Sequence, residues 1–138
     1  MAFKATLRNP TIQEYNDLRH SAGWPLMRQD LVEIGLSNTI HAIVVQDENH
    51  CAVGMGRIIG DGAIYFHIQD VIVRPEFQKQ NIGKLIMDEL LKYLDDAGGP
   101  NTNIGLMCSK GREEFYKGFG FIERPTDKFG AGMIKIKS

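Results

Sequence analysis

The sequence predicts an α/β chain in which a mixed, mostly antiparallel sheet carries helices on its faces. Three observations point there. Between residues 39 and 73, apolar β-rich segments are separated by short polar turns, the pattern of an antiparallel meander. From residue 78 the apolar period becomes helical, with Ile82, Leu85, Ile86, Leu90, Leu91 and Leu94 on one stripe. The chain has 138 residues, 43% hydrophobic and 24% charged, which suits one compact domain that buries a core without disulfides.

Taken in order, residues 3–8 read as a short first strand. Asn9-Pro10-Thr11 opens a helix, with proline pre-set for a first turn and Thr11 and Glu14 at capping-box spacing. Ile12, Tyr15 and Leu18 give that helix an apolar face, and Gly23 and Pro25 end it. A second helix over residues 28–37 carries Leu31, Val32 and Ile34. Strands follow at 39–46, at 51–59 after the turn Asp47-Glu48-Asn49-His50, and at 63–73 after Gly60-Asp61-Gly62. The long helix spans 78–97, with Lys84, Asp88 and Lys92 four apart on its outer face. Gly98-Gly99-Pro100 stops it. Residues 103–108 read as a buried strand, 110–117 as a short helix, and 119–122 and 132–137 as final strands. The predicted order is βααβββαβαββ. No repeat or linker interrupts it, so a single domain over residues 1–138 is expected.

Several function classes are excluded at this level. A formal net charge of −1 argues against nucleic acid as the ligand, because phosphate-backbone binding needs a basic surface. Cys51 and Cys108 have neither a CxxC partner nor metal-ligand spacing with His20, His41, His50 or His67. No metal site is expected, and both read as reduced thiols. No apolar run reaches the ~20 residues of a membrane helix, and Met1-Ala2-Phe3-Lys4 lacks the apolar stretch of a signal peptide. The expectation is a cytoplasmic protein without membrane contact.

Residues 71–85 carry the chemistry. A strand ending at Pro75 and a helix starting near Gln78 leave the amides of Gln78, Lys79, Gln80, Asn81, Ile82 and Gly83 in a loop and first helical turn. Such amides lack intrahelical acceptors, and the helix dipole puts partial positive charge beside them. The arrangement suits a pyrophosphate. Gly83 lets a phosphate approach the backbone, and Asn81 is among the few non-glycine residues that tolerate positive φ. Lys79 and Lys84 add charge nearby.

Residues 78–83 resemble the acetyl-CoA signature (Gln/Arg)-x-x-Gly-x-(Gly/Ala) of the GNAT superfamily of N-acetyltransferases, with Asn81 in place of the first glycine. Residues 71–77 resemble its approach strand. Tyr116-Lys117-Gly118-Phe119-Gly120-Phe121 resembles the family's Tyr-x-x-x-Gly-Phe segment. The resemblance implies the GNAT fold, acetyl-CoA as co-substrate, and transfer of an acetyl group to a primary amine of a small molecule or peptide. Transfer would go by direct attack in a ternary complex. The alternative is a non-catalytic module that senses acyl-CoA, and the presence of Tyr116 favours the enzyme.

On the same resemblance, the pantetheine arm pairs with the main chain of Val71, Ile72 and Val73, and Tyr116 protonates the departing sulfur. The other reading of Tyr116 is a core aromatic beside Phe115, Phe119 and Phe121. Ser109 falls where relatives have an asparagine that contacts CoA, and Arg112 falls where they often have alanine, a position from which its side chain could reach a CoA phosphate. An alkyl amine of pKa near ~10 is about one part in a thousand neutral at pH 7, so a base is needed. His67 falls where some relatives carry a glutamate or histidine for this purpose. By period-two alternation His67, Gln69, Val71 and Val73 share one face, and Asp70 turns the other way. A half-buried structural histidine is an equal reading, and Asp70 or a water chain remain open as the base. Trp24, Arg28 and residues 127–133, Phe129 among them, wall the acceptor pocket or simply pack. Cys108 reads as a buried strand cysteine rather than a nucleophile. The acceptor and the oligomeric state, a homodimer included, stay open.

Overall fold

A computed structural model describes residues 2–138, which form two compact units, one up to Gly105 and one from Leu106 to Ser138. The first unit begins with β1 (Lys4–Thr6), α1 (Ile12–Ser21) and α2 (Gln29–Ser37). Strands β2 (His41–Gln46), β3 (Ala52–Gly60) and β4 (Tyr65–Val73) follow, then helix α3 (Ile82–Asp96) and strand β5 (Asn103–Leu106). The sheet order is β1-β2-β3-β4-β5, and the first three pairings are antiparallel. After the α3 crossover, Asn103 N–H donates to Ile64 O at 2.9 Å and Gly105 lies beside His67. β5 therefore runs the same way as β4, and the sheet is mixed.

The local signals are realised. Thr11 caps α1 and its hydroxyl accepts from Glu14 N–H, while the Glu14 carboxylate accepts from Thr11 N–H. This box closes donors that the first helical turn leaves open. Gly23, at φ 74, ends the helix just beyond Ala22. In α2 the face turned inward is Val32 and Leu36, whereas Leu31 and Ile34 are exposed.

Two cores flank the sheet. On one face Tyr15, Leu18, Val32 and Leu36 pack with Val44, Ala52, Met55 and Ile72. On the other, α3 buries Ile82, Ile86, Met87, Leu90 and Leu94. Gly54 and Gly56 make room for this helix. A Cβ on Gly54 would stand 3.1 Å from both Ile82 Cγ2 and Ile86 Cδ1, and one on Gly56 only 2.6 Å from Ile86 Cγ2. Side chains on either would push α3 off the sheet. The small residues thus hold the N-terminus of α3 close over β3.

The second unit contains α4 (Glu113–Lys117). The strands expected at 119–122 and 132–137 are not formed. At the first, Phe119, Gly120 and Phe121 give their N–H groups to Tyr116, Lys117 and Tyr116 carbonyls, and Gly120 sits at φ 92. Those donors are then lost to any ladder. At the second, the alternation of Ile134 and Ile136 with lysines is strand-like, but both isoleucines are exposed and no ladder forms there.

Candidate active site

At the exit of β4 the chain is pinned. Arg74 N–H donates to Val53 O and its Nε to Ala52 O, both at 2.8 Å. A single 3-10 turn follows at Pro75–Phe77. Next come two left-handed residues, Lys79 and Asn81, each at φ 65. A right-handed helix cannot pass through them, so α3 begins only at Ile82 rather than near Gln78. Asn81 takes up the positive φ that the sequence allowed it.

This geometry opens the loop. The amides from Lys79 to Lys84 meet no acceptor among the described residues. Left-handed residues alternating with extended or right-handed ones turn successive N–H groups toward one concavity, a form of anion nest. The N-terminal end of α3 adds its dipole to the same spot. Gln78 differs from expectation: its N–H goes to Pro75 O at 3.3 Å, and its side-chain Nε2 caps Val73 O at 3.2 Å. Gly83 lies in the first turn of α3. Lys79 is exposed at the loop, but Lys84 Nζ is held by Asp88 at 2.6 Å on the outer side of the helix. There it lines a groove of about 750 Å³ that runs from Asn81 along α3 beside Ala5, Leu7 and Ile43.

Strand β4 departs from simple alternation. Met55 pairs with Ile72 and Arg57 with Gln69, so β4 carries one more residue than β3 across this interval. Asp70 sits in the bulge at φ 56. Directly paired residues share a face. His67, with Ile59, and Gln69, with Arg57, therefore lie on the face of α1 and α2, as do Asp70 and Ile72. Val73, with Gly54, and Val71, against Gly56, lie under α3. The expected single face of His67, Gln69, Val71 and Val73 is thus split, and Asp70 turns the same way as His67. The physical cause is the extra residue, which inverts the alternation beyond it. β5 is four residues long and accompanies only the beginning of the nine-residue β4.

Asp70 is 8% exposed and fully engaged. Its Oδ2 accepts from Tyr15 OH at 3.0 Å and Arg57 Nε at 2.8 Å, and Arg19 Nη1 lies 3.5 Å from Oδ1. Burial first, then the neighbouring Asp70 charge, push the Tyr15 phenol up, so it stays a donor. Both carboxylate oxygens are thus faced by protein donors or cations. The partners escaped the sequence reading, though a signal existed. Arg57 and Asp70 are opposite charges placed inside adjacent apolar strands, and such charges are rarely buried unpaired. His67 is half-buried, its ring makes no hydrogen bond among the described residues, and burial holds its pKa below the ordinary value.

Trp24 packs partly buried against the α1/α2 core, with Arg19 over its ring at 5.5 Å. Arg28 is exposed and forks onto Asp30, with Nε–Oδ1 at 2.7 Å. Within the second unit, Tyr116 is half-buried and meets Phe115 and Phe121 edge to face, at 5.0 and 6.3 Å. Burial, with Cys108 nearby, pushes its phenol up. Its hydroxyl has no hydrogen-bond partner among the described residues. Cys108 falls beyond the end of β5 and is exposed, which corrects the expectation of a buried strand cysteine. Ser109 O accepts from Arg112 N–H at 3.0 Å, and Arg112 is the residue that opens α4. Phe129 is 43% exposed between the Arg124 and Lys128 cations, at 5.3 and 5.4 Å.

Comparison with known proteins agrees with this architecture. The model of the acetyltransferase (GNAT) domain matches residues 26–136. The uncharacterized N-acetyltransferase ycf52 of Pyropia yezoensis is 31% identical over 121 residues, covering 86% of this chain and 68% of that one. A crystal structure of a Staphylococcus aureus protein of unknown function superposes with a TM-score of 0.86 at 32% identity, over 98% of this chain and 100% of the other. A GNAT-family acetyltransferase of Streptococcus pneumoniae gives 0.81 at 25% identity, over 99% and 98%. A strand leading through an open-amide loop into a helix, within a matching sheet and over a matching sequence, places the chain in the GNAT acetyltransferase family.

Proposed function

We propose that the chain is an acetyl-CoA-dependent N-acetyltransferase acting on a primary amine, with residues 1–138 as one catalytic domain. The observation that carries this reading is the run of unaccepted amides from Lys79 to Lys84, in a loop bent by Lys79 and Asn81. Those residues fit a linked diphosphate, because main-chain donors at a helix N-terminus complement its charge without a side chain in the way. Acetyl-CoA would supply an acetyl group activated as a thioester. The family match across residues 26–136 supports reading the chain as one domain.

The chain's own residues divide the remaining work. The main chain of Val71, Ile72 and Val73 lies on the part of β4 beyond β5 and would orient the arm. Ser109 and Arg112, at the start of α4, would steady the nucleotide end. His67, kept neutral by burial, would take the proton of the incoming ammonium on a ring nitrogen. Asp70 is committed to Arg57 and Tyr15, so His67 is preferred to it as base. Tyr116, kept protonated by burial, would give its phenolic proton to the sulfur. Its free hydroxyl favours turnover over a purely sensing role. Trp24 would wall the acceptor side.

The test is a thiol-release assay with acetyl-CoA over a panel of primary amines, run beside calorimetry with CoA. Binding with release supports the reading. Binding without release across the panel supports a sensor, and absence of binding removes the loop assignment.

A further inference from the structure

Arg19 distributes a single guanidinium over four contacts, one of them the Tyr15 ring, 5.7 Å from its centre. Nη1 stands 3.5 Å from Asp70 Oδ1. Nε and Nη2 both donate to Pro25 O, at 2.9 and 2.7 Å. The planar face lies over the Trp24 ring, 5.5 Å from its centre. The main chain adds a further tie, Trp24 N–H to Arg19 O at 3.0 Å. Only 14% of the Arg19 side chain and 8% of Asp70 are exposed, so that ion contact is little screened by water, while the Pro25 carbonyl lies at the surface.

Asp70 anchors the other end. Its Oδ2 is occupied by Tyr15 and Arg57, which leaves Oδ1 to face Arg19. Arg57 in turn donates to Gly35 O at 3.2 Å and Thr39 Oγ1 at 2.8 Å, tying in the end of α2. The bulge residue at φ 56 is therefore held by groups from α1, β3 and the α2 exit. The same bulge puts His67 on the face opposite Val71 and Val73.

We infer that Arg19 and Asp70 are positioning residues that lock the β4 bulge to the Trp24–Pro25 loop, so that the His67 strand and the acceptor wall form one rigid piece. The inference rests on the acetyltransferase reading only for the naming of that wall; the mechanical link stands on the contacts alone. A lysine cannot replace Arg19, because one ammonium does not fork to a carbonyl while stacking on indole and facing a carboxylate.

Trp24 is the only tryptophan in the chain, so its emission reports this loop directly. Arg19→Lys and Asp70→Asn are compared with wild type, and Leu90→Ala, in the opposite core, serves as the control for general loss of stability. Asparagine tolerates the left-handed φ, which isolates the loss of charge. Both variants are expected to shift Trp24 emission to the red and raise acrylamide quenching, although Asp70 does not touch Trp24. The double variant should go no further than either single one. The KM for an amine turned over in the thiol-release panel should rise about tenfold for Arg19→Lys, the low end of what one lost charged hydrogen bond produces. CoA affinity should stay as in wild type, because the loop at Lys79–Lys84 is untouched. Should Asp70→Asn not fold, Arg19→Lys with its emission and KM decides alone. Emission unchanged from wild type, a shift equal to that of Leu90→Ala, or additive shifts in the double variant would overturn the link. A chain that binds no CoA would sink the acetyltransferase reading, while the fluorescence series would still decide the coupling.

Discussion

Arg57 and Asp70 meet across neighbouring strands at 2.8 Å, Nε to Oδ2, although the register pairs Arg57 with Gln69. The ion pair spans the one place where β4 holds an extra residue. It joins the bulge to β3, and through Tyr15 and Arg19 to α1. The side chains of Arg57 and Asp70 are 11% and 8% exposed, so each charge depends on the other for compensation.

Removing one partner leaves a buried charge alone. Arg57→Ala and Asp70→Ala are each expected to lower unfolding free energy by about 3–5 kcal/mol, measured by urea denaturation. The double replacement should cost clearly less than the sum. Additive losses would show that the two residues act independently.

Asn81 tests the loop. At φ 65 glycine is free of strain, whereas a β-branched side chain is not. Asn81→Gly should keep the rise in Tm produced by CoA. Asn81→Val should lose most of it and cost about 1–2 kcal/mol in the free protein. Equal CoA stabilisation in both variants would remove the loop's bent conformation from the binding argument.

His67 sets a pH dependence whose sign follows from its burial. The charged form is disfavoured, so the folded pKa lies below the ordinary 6.5. As a base it works when neutral, and kcat/KM should rise with pH through a midpoint below 6.5. His67→Gln should abolish that limb and lower the plateau. Stability follows the same shift. As pH falls below 6.5 the unfolded chain takes the proton first, so the wild type should lose stability relative to His67→Gln until the folded pKa is passed. Paired pH–rate and urea series check both, and an unmoved acid limb would exclude His67 as the base.

Tyr116→Phe deletes only the phenolic oxygen and leaves the edge-to-face contacts with Phe115 and Phe121. The expected outcome is a fall in kcat of about a hundredfold with CoA affinity retained. Steady-state kinetics beside calorimetry separates the two, and an unchanged kcat would assign sulfur protonation to water.

The sequence by itself determined what depends on neighbours along the chain. The Thr11–Glu14 capping box, the meander and its turns, the stop at Gly98 and the left-handed Asn81 are local preferences, and each is realised. Tertiary structure decided the rest. Two left-handed residues moved the start of α3 to Ile82, and the strand-like rhythm at 132–137 names no partner, so it formed no ladder. Above all, the separation of His67 from Val71 and Val73 onto opposite faces was set by a bulge whose hold comes from Tyr15, Arg19 and Arg57. Alternation is a rule between adjacent residues, and it fails where groups far apart in the chain stabilise one extra residue in a strand.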